Sequence, residues 1–239
     1  MEEDLKRKDL KRKDLKDKTL SLLKLSDIDQ LLAGFSKLPP HRVITPLFSF
    51  LYSENEAIRW KAVTAIGFIV SSIASEDMES ARILMRRLMW NLNDGSGGIG
   101  WGAPEAMGEI MACHEGLANE YAHILSSYLR EDGNFLENEL LQRGVIWGLG
   151  RLAQVSPHIL IKRGASRDVR PFLRSSDITI RALSAWTLGL LGDKDSTIEI
   201  ENLLNDDRKI QLYTDRRLLV RRVKDLAKQA LVRSRQNEK

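Results

Sequence analysis

The side chains best suited to chemistry lie close together. They are Glu105 and Glu109, four residues apart, and a His114-Glu115 pair shortly after them. At that spacing both carboxylates fall on one face of a helix, where paired carboxylates serve acid–base catalysis or bind a metal. A metal site needs more ligands, and His41, His123 and His158 each lack an adjacent Glu. No Ser-His-Asp or Cys-His grouping can be drawn, and Cys113 beside His114 points to a different helix face. The expectation is no metal, no cofactor and no catalytic set. Just upstream, Asp94 to Gly102 reads DGSGGIGWG, five glycines in nine residues. Such a loop can turn backbone N–H groups towards an anion ahead of a helix N-terminus. No Gly-Lys-Ser/Thr follows it and no strand precedes it, so neither nucleotide-binding fingerprint is met. Its expected role is a tight turn that delivers Trp101.

The elements that position these residues follow from a repeat. Gly67, Gly108, Gly150 and Gly189 sit in the similar phrases AVTAIGFI, APEAMGEI, GVIWGLGRL and ALSAWTLGLL, at intervals of 41, 42 and 39 residues. A weaker copy, VRRVKDLAKQAL, places Ala230 another 41 residues on. A period of this length with two helix-length apolar segments per period is the signature of a helical solenoid. A first helix over LLAGF is capped near Ser26-Asp27 and closed by Pro39-Pro40. The predicted pairs are then 45–51 with 58–73, 80–92 with 102–113, 120–130 with 136–154, 166–174 with 178–191, and 197–205 with 215–233.

Within each second helix, positions one, two, five, six and nine before the glycine are mostly apolar or small and are expected to pack between neighbours. Positions three and seven before it share another face. Position seven holds Trp60, Trp101, Arg143 and Ala182; position three holds Thr64, Glu105, Trp147 and Trp186; the residue after the glycine is Phe68, Glu109, Arg151 or Leu190. Stacked repeats bring four of the five tryptophans to one concave groove, where Trp and Arg are the residue types most enriched in binding hot spots. Glu105 is expected to pair with Arg143, and Glu109 with Arg151, across adjacent repeats. Trp90, on a first helix, is expected to pack.

Composition is consistent with this. Six prolines and 6% aromatics argue against an all-β fold, and the 43% apolar fraction suffices for a continuous core. One cysteine excludes an intrachain disulfide and suggests a reducing compartment. No run of about 18 apolar residues is evident, and the expectation is a cytoplasmic protein without a membrane partner. The net charge of +4 is unevenly spread: eleven Lys or Arg against three acids after position 207 give that tail +8, and the rest −4. The N-terminal EEDLKRKDLKRKDLKDK carries leucines at a period of five, which forms no apolar stripe. Residues 1–25 are therefore expected to be a solvated, charged extension, and 26–239 a single repeat domain.

The phrases Ile58-Arg59…Ala62…Ala65-Ile66-Gly67 and Ile180-Arg181…Ala185…Leu188-Gly189 resemble HEAT-like repeats of the short bacterial, phycobilisome-lyase-like kind. The whole chain is similar to an uncharacterised HEAT-repeat family of sulfate-reducing and related bacteria. The resemblance implies an all-α, right-handed α-α superhelix (a HEAT-like or armadillo-type solenoid) of about five helical pairs. It implies a scaffold and little more about function; the residue rows above are what place a macromolecular partner, a protein or peptide first, in a groove of Trp60, Trp101, Glu105, Glu109, Arg143, Trp147, Arg151 and Trp186. HEAT-like deoxyhypusine hydroxylases bind iron through repeated His-Glu pairs, but here the pair occurs once. Trp101, Glu105, Arg143 and Trp186 also follow the order seen in HEAT-like alkylpurine DNA glycosylases. That likeness implies nucleic-acid binding, with Glu105 stabilising a cationic sugar, although the family's acid is Asp and the Gly-rich loop is foreign to it.

Overall fold

The computed structural model describes residues 12–93 and 100–236. The tandem KRKDL segment up to residue 11, and residues 94–99 of the glycine-rich loop with its proposed anion cradle, lie outside them. The chain divides after Ala106 into two compact units.

The first unit holds α1 (Arg12–Leu23), α2 (Ile28–Ser36), α3 (Pro40–Phe50), α4 (Glu56–Glu76) and α5 (Met78–Asn93). Asp27 opens α2 by accepting from the N–H groups of Asp29 and Gln30 at 2.8 and 3.2 Å, and Asn55 opens α4 through the N–H of Ile58. Such caps satisfy N–H groups that have no partner inside the helix. α4 packs between α3 and α5, burying Ile66, Ile69, Val70 and Ile73. By length and composition α4 could cross a membrane, a property the short-run inspection of the sequence missed. Here ten of its residues are buried in the repeat core. The expectation of a solvated extension fails for residues 12–23. Leu15, Thr19 and Leu23 of α1 are buried and the helix packs on α2 and α3, because Thr19 and Leu23 extend Leu15 into a four-residue stripe that the period-five leucines concealed.

A helix that runs across the division, α6 (Ala103–Cys113), leads into the second unit. There follow α7 (Glu115–Ser127), α8 (Glu139–Val155), α9 (Pro157–Lys162), α10 (Ala165–Val169), a 3₁₀ turn (Arg170–Arg174), α11 (Ile178–Leu191), α12 (Thr197–Glu201), strands β1 (Lys209–Thr214) and β2 (Arg217–Arg222), and α13 (Val223–Gln236). α11 packs between α8 and α13. Two of the recurrent glycines, Gly108 and Gly189, are crossing points of second helices. A Cβ on Gly108 would meet the Cα of Gly148 at 2.3 Å, and one on Gly189 the Cα of Ala230 at 2.4 Å.

The last repeat departs from expectation. The helix predicted over 215–233 begins only at Val223, and residues 209–222 form an antiparallel hairpin with Ile210 opposite Arg221 and Leu212 opposite Leu219. Its two-residue loop, Asp215-Arg216, has both residues at positive φ, 51° and 59°. That is the geometry of the turn whose twist matches paired strands. Arginine in place of the usual glycine hides the signal in the sequence.

Candidate functional site

The rows read from the sequence divide by burial. Position three is a packing row: Thr64, Trp147 and Trp186 are 3%, 2% and 5% exposed. Trp186 lies on Gly150, whose added Cβ would stand 2.1 Å from the indole. Trp147 donates its indole N–H to the Tyr213 carbonyl at 2.7 Å, and the two rings lie 6.2 Å apart. Neither indole is an open groove residue. The glycine spacing leaves room for an indole between neighbouring helices, and the hairpin covers the other. Position seven is more open. Trp101 is 37% exposed, Trp60 and Arg143 are half-buried, and only Ala182 is sealed.

Glu105, on the first turn of α6, has a buried carboxylate oxygen, Oε2, without a hydrogen-bond partner. Burial pushes its pKa up to about 7, against its own backbone N–H and the charge of Arg59. Arg143, its expected partner, instead donates to Asp177 through Nε at 3.1 Å and through Nη2. Asp177 also caps α11 through the N–H of Ile180. Burial opposes the Asp177 carboxylate, but Arg143 and that N–H hold its pKa below the ordinary value.

Glu109 and Arg151 do pair, at 2.7 Å from Nε to Oε2 and 3.3 Å from Nη2 to Oε1. Glu109 is 6% exposed, so the pair is an internal strut between α6 and α8. Burial works against the Arg151 charge, and the hydrogen bond and charge of Glu109 more than offset it. Cys113 is an exposed residue whose thiol sits 3.8 Å from Glu109; the partial burial of the sulfur and the Glu109 charge both push its pKa up. His114 caps α7 by accepting the Leu117 N–H at 3.3 Å, a structural use for the histidine of the His-Glu pair. Among the described residues, no group of three or more His, Cys, Asp or Glu side chains is arranged to hold a metal ion.

Of the four residues behind the glycosylase likeness, Trp186 is core, Arg143 is committed to Asp177, and Glu105 has its pKa raised by burial. Trp90, expected to pack, is the most open tryptophan at 72%. A cleft of about 830 Å³ in the second unit, lined by Phe135, Phe172, Arg167 and Asp168 among others, was not legible in the sequence. Its walls carry three arginines and three acids, so charge selects no ligand for it.

No family model matches the chain. It is similar to an uncharacterised protein of Archaeoglobus fulgidus, 27% identical over 202 residues that cover 81% of this chain and 96% of the relative. Among solved structures it resembles an engineered protein at 14% identity and a TM-score of 0.53, covering 93% of this chain and 97% of that one. It also resembles a designed armadillo repeat protein at 16% identity and 0.51, covering 92% and 99%. A third is a designed armadillo repeat protein in complex with the peptide (KR)4, at 16% and 0.50, again covering 92% and 99%. The fold is therefore an all-α, armadillo/HEAT-like superhelical repeat, here carrying one β-hairpin.

Proposed function

We propose that the chain is a non-catalytic repeat scaffold that binds a protein or peptide segment, with Trp101 and Trp60 as its apolar contacts. The observation that carries this reading is Trp101, a large indole in the turn that leads into α6, which remains 37% exposed while Gly102 and Ala103 beside it are buried. Exposed tryptophans on a rigid frame suit binding hot spots, since little entropy is lost when they are covered. Support also comes from the similar designed armadillo repeat protein that is in complex with (KR)4. Within the second unit, Trp147, Trp186 and the Glu109–Arg151 strut are packing, and this reading gives them no contact with the partner. The same reading takes 26–239 as one repeat domain in the cytoplasm, akin to the HEAT-repeat family of sulfate-reducing bacteria.

The test is affinity capture from native-host lysate, with and without nuclease, using the parent chain and Trp101→Ala. A stoichiometric protein that survives nuclease and is lost from Trp101→Ala, at unchanged helicity, is the expected result. Capture dominated by nuclease-sensitive DNA, or unaffected by Trp101→Ala, overturns it.

A further inference from the structure

The hairpin 209–222 has one used edge and one open edge. Thr214 and Arg217 flank the two-residue loop, so they exchange both backbone hydrogen bonds, as do Leu212 with Leu219 and Ile210 with Arg221. The intervening residues turn their N–H and C=O groups outward. On β1 one such group, the Tyr213 carbonyl, is taken by Trp147, and beside it Gln154 donates to the Thr214 hydroxyl at 3.2 Å. This anchors β1 to α8. On β2 the outward groups belong to Leu218 and Val220, and no backbone partner reaches them from the described residues. Val220 is 62% exposed.

We propose that β2 is a docking edge for an extended acidic peptide, which adds to the hairpin as a third strand. The edge is surrounded by cations: Arg216, Arg217, Arg221 and Arg222 fall within seven residues. Arg222 lies 3.6 Å from Asp207, which Lys224 also holds at 2.5 Å. Arg217 and Arg221 meet no acid among the described residues. A partner strand with acidic side chains answers both features, since its backbone pairs with the alternating donors and acceptors and its carboxylates meet the arginines. A phosphate backbone fits less well, because phosphates only accept hydrogen bonds and leave the Val220 carbonyl unanswered. Charged edges also keep strands from pairing with copies of themselves. An acidic strand is the partner for which those same charges become attractive. This site does not rest on the Trp101 reading, and either can fail alone.

The experiment uses the full chain and a fluorescein-labelled peptide of alternating Glu and Val, roughly eight residues long to span β2. Saturable binding is expected, with slowed amide exchange at Leu218 and Val220. Val220→Pro deletes an outward N–H and leaves the hairpin's own ladder intact. It should weaken binding by about tenfold or more, as should Arg217→Glu. The amide readout on the parent chain stands even where the proline variant unfolds. No saturation up to about 1 mM, equal binding of a Lys-Val peptide, or unchanged exchange at Leu218 and Val220 overturns the proposal. So does a duplex DNA oligonucleotide that binds Val220→Pro as well as the parent and is lost with Arg217→Glu, since this makes the surface a phosphate site.

Discussion

Glu105 and the two kinds of tryptophan yield direct tests at the residue scale. The Glu105 pKa, about 7 when folded against 4.5 ordinarily, means that the folded protein keeps a proton that the unfolded chain releases between those values. Stability therefore falls as pH rises from about 4.5 to 7, and the loss persists above. Glu105→Gln removes that slope. Relative to the parent, it should gain on the order of 2–3 kcal/mol between about pH 4.5 and pH 8 in urea unfolding; parallel profiles would refute the buried, protonated carboxyl. Trp147→Ala should cost about 3–5 kcal/mol, as a buried aromatic does, while Trp101→Ala should stay within about 0.5–1 kcal/mol. Equal losses would put both indoles in the core. Removing the Glu109 charge with Glu109→Gln leaves Arg151 without its ion-pair partner, and should cost about 1–3 kcal/mol in the same titration.

At the scale of elements, the recurrent glycines set how close the second helices come. Gly150→Ala pushes a methyl into the Trp186 ring and should cost about 1–3 kcal/mol. Gly108→Ala meets the Gly148 backbone, which cannot rotate away, so its loss of melting stability should be the larger. A smaller loss would mean that the helices slide apart freely. The hairpin turn is under strain from two non-glycine residues at positive φ. Replacing Asp215-Arg216 by Asn-Gly should stabilise the hairpin by about 1 kcal/mol and slow amide exchange in β1 and β2; faster exchange would speak against the turn. Several helix starts were legible, because Asp27, Asn55 and Asp177 sit in the turns read from the sequence and each caps the helix that follows; α8 instead starts after Asn138, past the predicted opening at 136. The hairpin was not legible. Arg221, Arg222, Lys224 and Lys228 suit a helix surface, and local propensity yields to the pairing of Ile210 and Leu212 with β2.

For the whole molecule, charge is the feature that local structure does not contain. The positive tail after position 207 holds both the hairpin and α13, so binding of an acidic partner there should weaken steadily as salt is raised from about 0.05 to 0.3 M. Binding through Trp101 should change little. The forty-residue glycine period, read from the sequence alone, determined an all-α repeat of paired helices, because close helix crossings demand a small residue at each return. It also determined the Glu109–Arg151 pairing, one repeat apart on one face. Which indoles face solvent was decided only by tertiary structure. Helical periodicity assigns residues to faces, but burial depends on what the rest of the chain lays over a face. Here Trp186 fills the space left by Gly150, a strand with no helix counterpart in the repeat lies over Trp147, and Trp101 alone among the four groove indoles stays more than one-third exposed.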